Sequence, residues 1–224
     1  MKIDIPQNFI RAALLFAGKA DIRYYLNGLA LQTGPEGSRL IGTDGHTLCV
    51  VDLGIRDLPV LETIIPRSLL EKLKAKAGSK VTIEIAETPK GQRTIAVTHQ
   101  GQGFSEIEIN GAFPDWRRVI PRKTTGQLAH YNPHYLVRLD DAWHILNAGT
   151  SRGSGHRGGK VGACPAYNGD SSSLNMLHPQ VLALVFPLRW DTEPTSAPDW
   201  AYASLNPPPD TAPAAKPEPA EVPL

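Results

Sequence analysis

The chain has 224 residues, of which 23 are Lys or Arg and 22 are Asp or Glu, long enough to bury a real core in one or two domains. Two cysteines, Cys49 and Cys164, exclude a disulfide framework. With the polar start Met1-Lys2-Ile3-Asp4 no signal peptide is expected, and no apolar run is long enough for a bilayer span, so a cytoplasmic protein with no membrane partner is expected. Charge is unevenly placed. Only one of the basic residues but six of the acidic ones lie beyond residue 190, which leaves the first 190 residues at a net +6. A mildly basic body with an acidic tail suits a nucleic-acid partner, whose phosphates need neutralising.

Met1–Ile5 is expected as a short strand. Pro6 suits the first turn of a helix, and Phe9, Ile10, Ala13, Leu14 and Ala17 recur at helical spacing. Gly18 is expected to cap that helix, and Arg11 falls off its apolar stripe. Residues Asp21–Leu53 then predict three antiparallel strands: a run from Tyr24 to Leu31, a second around Leu40–Ile41 and a third from Leu48 to Leu53. The breaks are Thr33–Ser38 and Thr43-Asp44-Gly45-His46. Asp-Gly between apolar runs predicts a hairpin with positive φ at both central positions. Cys49 reads as a small core residue.

The order β-α-β-β-β now repeats. Glu62–Ile65 is a strand, and Pro66 opens a helix with Leu69, Leu70 and Leu73 on one face, Lys72, Lys74 and Lys76 on the others, and Gly78 at its end. Strands follow at Lys80–Ala86, Arg93–Thr98 and Gly103–Ile109, with turns at Pro89-Lys90-Gly91 and Gln100-Gly101. A third copy begins with a strand at Gln127–Tyr131. Asn132 caps a helix with Pro133 at its first position, and Tyr135, Leu136, Leu139 and Trp143 form its apolar face. A Gly- and Arg-rich loop, Gly149–Gly159, precedes strands at Lys160–Cys164, Ser172–Met176 and Val181–Leu188. The fold class is therefore α+β, built from repeated β-α-β-β-β units with antiparallel sheets.

No catalytic set stands out, so the chain is not expected to be an enzyme, and neither a metal nor a cofactor is called for. His130 and His134 straddle Asn132-Pro133 and lack the Glu of a zinc-protease helix, and the glycines before Lys160 have the wrong spacing for a phosphate loop. Residues 191–224, rich in Pro and Ala, cannot bury enough surface to offset chain entropy and predict a disordered tail.

Arg23-Tyr24-Tyr25-Leu26-Asn27-Gly28 followed by Thr43-Asp44-Gly45-His46-Thr47-Leu48 resembles the middle domain of the bacterial DNA polymerase III β subunit, the sliding clamp. Phe113-Pro114-Asp115-Trp116-Arg117-Arg118-Val119-Ile120-Pro121 resembles the segment that ends that domain. Leu184-Val185-Phe186-Pro187-Leu188-Arg189 resembles the family's C-terminal end. The resemblance implies the DNA-clamp fold, with a clamp domain over residues 1–122, half of the last clamp domain over 123–190, and an added tail over 191–224. The family's first domain and half of its last find no counterpart. With three units per chain, a ring of twelve would take four copies.

The resemblance further implies a processivity factor that assembles as a homo-oligomer around duplex DNA and tethers a DNA polymerase or other proteins carrying clamp-binding peptides, with a clamp loader among its partners. The origin would be a bacterium or a virus that infects one. DNA contacts would fall on Lys19, Arg23, Tyr24 and Tyr25, joined by Arg11, Lys72, Lys74 and Lys76 as point charges that bind phosphates without reading sequence. The peptide pocket would be lined by Leu26, Thr43, Gly45, His46, Leu48, Pro114, Arg118, Val119, Leu184, Phe186 and Leu188. Thr47 stands where the family often has Arg, and Phe186 where it usually has a less bulky Met. The alternative is a clamp-like interaction protein that never encircles DNA and binds clamp-binding peptides or interferes with a host's replication.

Overall fold

In the computed structural model the described residues are 1–74, 76, 78–89, 91–122, 129–147, 167–168 and 173–188, all within one compact unit, Met1–Arg189. Strand β1 (Lys2–Pro6) alternates outward and inward and buries Ile3 and Ile5. Pro6, at φ −53° and ψ 129°, turns it directly into α1 (Gln7–Leu14), which buries Phe9, Ile10, Ala12, Ala13 and Leu14. This helix stops short of Gly18, which is not at positive φ and so does not cap it. Gly18 instead lets the loop after α1 approach the segment around Leu26: its N–H donates to the carbonyl of Leu26 at 2.9 Å, and a Cβ would sit 3.0 Å from that oxygen.

Strands β2 (Gly28–Gly34), β3 (Gly37–Thr43) and β4 (Thr47–Asp52) form the antiparallel meander that the apolar runs predict. The expected run from Tyr24 is a correction. Tyr24–Leu26 is a 3-10 turn, closed by the N–H of Leu26 on the carbonyl of Arg23, and the strand starts at Gly28. A second correction concerns the Asp-Gly turn: Gly45 is at φ +83° but Asp44 is not at positive φ. The Asp44 carboxylate accepts from the N–H groups of His46 and Thr47, an Asx turn in place of a mirror-image one. Gln100 and Gly101, at φ +51° and +76°, do make the mirror-image turn.

The second copy comprises β5 (Leu61–Pro66), α2 (Arg67–Glu71), β6 (Lys80–Glu87), β7 (Arg93–His99) and β8 (Gln102–Ile107). The first two copies exchange leading strands: β1 pairs with β6, and β5 pairs with β2. Helix α2 is shorter than expected. It ends at Glu71, and Lys74 and Lys76 lie beyond it. The cause is the buried Gln7 carboxamide, which donates to the carbonyl of Lys74 at 2.7 Å and accepts from the N–H of Lys76 at 2.7 Å. The backbone there bonds to α1 rather than continuing its own helix.

The third copy contributes α3 (Pro133–Leu146), β9 (Tyr167–Asn168), β10 (Ser173–His178) and β11 (Val181–Val185). Asn132 caps α3 as expected, its side chain accepting from the N–H of His134 at 3.0 Å. The face differs: Leu136 and Val137 are exposed, while Ala142 and Leu146 are buried. Of the strand expected before α3, residues 127–128 lie outside the described residues, and His130 forms an antiparallel bridge to Leu188. The loop Gly149–Gly159, the strand Lys160–Cys164 and the tail 191–224 lie outside the described residues.

The strands form two antiparallel sheets, β1-β6-β7-β8 and β5-β2-β3-β4-β11-β10-β9. β11 joins the larger one by pairing with β4, from Val181 opposite Val51 to Val185 opposite Thr47. Alternate residues of that sheet serve two cores. Leu29, Leu31, Leu40, Cys49 and Val51 face α1, while Ala30, Ile41, Leu48, Val50, Ile64 and Leu184 face Leu26, Phe113 and Trp116. Both faces are covered, which explains continuous apolar runs where a half-buried sheet would alternate. Each fully buried Leu or Ile contributes about 1.5–3 kcal/mol. Among the described residues, no helix is long and apolar enough to cross a membrane.

Candidate functional site

A cavity of about 160 Å3 opens beside the β4–β11 seam. Of the residues expected at a peptide pocket, Leu26, Thr43, Gly45, Leu48, Pro114, Val119 and Phe186 line it, together with Arg23, Tyr25, Asp115 and Trp116. Leu184 lies fully buried in the core beneath. Three other residues stand apart from the lining. His46 stacks on Tyr135 of α3, ring centres 5.6 Å apart, and its carbonyl accepts from the N–H of Phe186 at 2.9 Å. Arg118 is exposed on the 3-10 turn Trp116–Val119. Leu188 is 41 % exposed and bridges to His130.

The rim of the cavity is a hydrogen-bonded turn. The Thr43 hydroxyl donates to the carbonyl of Thr47 at 2.6 Å and accepts from the N–H of Gly45 at 3.1 Å. Asp44 Oδ1 accepts from the Thr47 hydroxyl at 2.9 Å, and Asp44 Oδ2 pairs with the guanidinium of Arg138 on α3. Burial pushes the Asp44 carboxyl up. Hydrogen bonds from Arg138, the N–H groups of His46 and Thr47, and the Thr47 hydroxyl outweigh that and hold it below the usual carboxylate range. Arg23 Nη2 donates to the carbonyl of Asp44 at 2.8 Å and pairs with Asp21 at 2.7 Å. The Arg23 side chain and its backbone N–H draw the Asp21 carboxyl down to about 2. The positive φ of Gly45 is matched by crowding, since a Cβ there would lie 2.6 Å from the Arg23 guanidinium.

Below the rim the floor is apolar. Leu26, Leu48 and Trp116 are buried. Trp116 Nε1 donates to Gln32 Oε1 at 3.1 Å, and the Arg117 guanidinium stands 4.4 Å over the indole. Asp115 caps the Trp116 turn by accepting from the N–H of Arg117 at 3.3 Å. An apolar floor beside a guanidinium suits apolar anchors accompanied by a polar or carboxylate group. Sequence reasoning placed Arg23 and Tyr25 at DNA alone and left Trp116 out of the lining. The signal for Trp116 was its place in the Phe113–Pro121 motif.

The basic residues fall in a different neighbourhood. Arg11, Lys19, Lys74 and Lys76 are exposed, and Gln7 ties the Lys74–Lys76 segment to the start of α1. Lys72 caps the end of α2 and pairs with Glu106 at 2.6 Å, 5.9 Å above the Phe104 ring. Partial burial raises the Glu106 carboxyl, but Lys72 and the Ser68 hydroxyl together hold it below its ordinary value. Tyr24 is 58 % exposed and meets Tyr25 edge to face. Lys19 and Tyr24 border an open concavity of about 570 Å3 with Arg67 and Glu106. Arg67, which sequence reasoning missed, donates to the carbonyls of Leu14 at 2.9 Å and Ala17 at 3.1 Å and so closes the C-terminal end of α1. Among the described residues, no group of His, Cys, Asp and Glu is placed to hold a metal.

Residues 2–115 match the family described as DNA polymerase III beta subunit, central domain. The chain belongs to the DNA polymerase III beta subunit family. It is 32 % identical over 129 residues to the beta sliding clamp of Escherichia coli strain K12, a match covering 54 % of this chain and 34 % of that protein. The corresponding figures for the beta sliding clamp of Pseudomonas aeruginosa are 36 % over 107 residues, 46 % and 28 %. The chain thus spans about a third of the length of such clamps. The crystal structure of the DNA polymerase III subunit beta from Pseudomonas aeruginosa superposes with a TM-score of 0.54 at 21 % identity, over 85 % of this chain and 67 % of that one. For the Borrelia burgdorferi subunit the TM-score is 0.55 at 15 % identity, over 84 % and 64 %. These likenesses show the clamp fold.

Proposed function

We propose that this chain is a sliding-clamp-like DNA polymerase processivity factor, non-enzymatic and in need of no cofactor. It assembles as a homo-oligomer around duplex DNA and tethers proteins carrying short clamp-binding peptides. Residues 1–122 serve as one clamp domain, 123–190 as half of another, and 191–224 as a tail. What supports this most is the apolar pocket at the β4–β11 seam, where residues of the first and third copies meet under a polar rim. Encirclement turns weak phosphate contacts into retention and raises the partner's effective concentration at the template. DNA pairing falls to Arg11, Lys19, Lys72, Lys74 and Lys76, with Arg23, Tyr24 and Tyr25 beside them.

A second reading rests on the cavity that one chain forms by itself between the β3–β4 turn, the Pro114–Val119 segment and Phe186, which a peptide could enter without a ring. In that reading the protein binds clamp-binding peptides without encircling DNA. Alanine at Lys72, Lys74 and Lys76 separates the two. The clamp reading expects loss of DNA binding with peptide binding intact. An unaltered chain that binds peptide and shows no salt-dependent affinity for duplex DNA supports the second.

A further inference from the structure

Two concavities share the Trp116–Val119 turn. Trp116 and Val119 line the apolar cavity at the β4–β11 seam. Arg117, between them, lines a second concavity of about 210 Å3 with Gln32, Arg39 and the turn between β2 and β3. The Trp116 indole stands between the two: its ring walls the first, and its Nε1 donates at 3.1 Å to Gln32 Oε1 in the second. The floor of the second follows from strand register. Glu62 lies opposite Gln32, Gln32 opposite Arg39, and Arg39 opposite Asp52, one cross-strand row over β5, β2, β3 and β4. Ile64, Ala30, Ile41 and Val50, each two residues from a member of that row, pack in the core with Trp116. Residues two apart on a strand share a face. The polar row therefore continues the sheet face on which the apolar cavity stands.

Within the row the charges are already matched. Asp52 accepts from Arg39 at 2.9 Å and from the N–H of Gly54 at 2.9 Å, and Glu62 accepts from Gln32 Nε2 at 3.1 Å. Arg23, the guanidinium at the apolar cavity, pairs with Asp21 at 2.7 Å. Arg117 differs. It is exposed and held 4.4 Å over the indole. Among the described residues its side chain makes one hydrogen bond, from Nη1 to Gln32 Oε1 at 3.5 Å, long for such a bond and to an acceptor that Trp116 already uses. Stacking thus orients the guanidinium while most of its donors stay unused. A planar fork with spare donors matches a carboxylate. We propose that the second concavity is an acidic subsite, in which Arg117 binds the carboxylate of an Asp or Glu flanking the apolar anchor of a bound peptide. This rests on the peptide-binding reading and names the chemistry of the partner beyond the anchor. Glu36 is the one carboxylate in the lining that opposes such a ligand, and it supplies a control of opposite sign.

Fluorescence anisotropy of the full chain with three labelled peptides tests it: an apolar anchor of Leu and Phe in a Gly-Ser frame, and the same anchor with a pair of Asp residues placed before it or after it. One acidic peptide is expected to bind about two- to fivefold more tightly than the plain one, the scale of a partly exposed ion pair, with the gain shrinking as salt is raised. In Arg117→Ala the acidic and plain peptides are expected to bind equally, whatever that substitution does to the anchor itself. Arg117→Lys is expected to keep part of the gain, and Glu36→Gln to enlarge it. Equal affinity for all three peptides in the unaltered chain, or a gain that Arg117→Ala leaves intact, overturns the acidic subsite and leaves the peptide pocket standing. Binding of none of the three overturns both.

Discussion

The Arg138 guanidinium on α3 pairs with the Asp44 carboxylate in the turn between β3 and β4, 94 residues away in sequence. With the bond from Arg138 to the Thr47 hydroxyl at 3.1 Å, this contact helps tie the third copy to the rim of the pocket. His46, two residues on, stacks against Tyr135 one turn earlier on α3. Because Asp44 also holds the His46 and Thr47 N–H groups, its loss strands several donors. Asp44→Ala is expected to cost about 2 kcal/mol, the scale of leaving buried hydrogen-bonding groups unmade. Urea unfolding of the variant and the unaltered chain at neutral pH reads this directly.

The same carboxylate makes the rim acid-sensitive. Its folded-state pKa is depressed, so its contribution is present above the unfolded value near 3.9 and is lost as pH falls through the folded value. Stability is expected to drop between about pH 4 and lower values, and more steeply in the unaltered chain than in Asp44→Asn. Equal slopes for the two would place the acid sensitivity elsewhere, with Asp21 the next group to vary.

Much of this architecture was legible beforehand. Ile3 with Ile5, the run Leu29–Leu31, and Asn132-Pro133 each announce their element through local chemistry. Partner choice has no local signal: nothing in β1 says that it pairs with β6 rather than β2. Lys74 and Lys76 continue a helical pattern, yet a buried glutamine 67 residues earlier takes their backbone. At the pocket, seven of the eleven residues carried by the motifs share one lining, while His46, Arg118, Leu184 and Leu188 do not. The placement of Arg23 at the pocket as well as on the loop before Tyr24 depends on the Asp44 carbonyl, a contact that only the folded turn creates.

Gly45 is expected to tolerate no side chain. Gly45→Ala combines an unfavourable positive φ with a clash against Arg23, at a cost of about 1–3 kcal/mol. Affinity for an apolar peptide bearing a carboxylate should fall with it, because the Arg23 guanidinium is displaced from the rim. Fluorescence anisotropy with such a peptide checks this, and Arg23→Ala should reproduce the loss of affinity without the backbone strain.

The lysines should not behave alike. Lys74→Ala removes an exposed charge and keeps the backbone carbonyl that Gln7 bonds, so the salt dependence of DNA binding should weaken by about 0.9 in log–log slope while stability holds. Lys72→Ala also releases Glu106, adding a repulsive carboxylate near the phosphates and a stability cost of about 0.2–1 kcal/mol. Binding titrations at several salt concentrations, paired with thermal melts, separate the two.

A chain that encircles DNA is held on it topologically, and a nicked circular duplex measures that retention. Fluorescent protein is bound at low salt, challenged at high salt, and followed as the circle is cut. An encircling protein is expected to stay on the circle at salt concentrations that strip it from a linear duplex, and to leave on cutting. Equal loss from circular and linear DNA would contradict encirclement and leave the peptide pocket as the working part of the molecule.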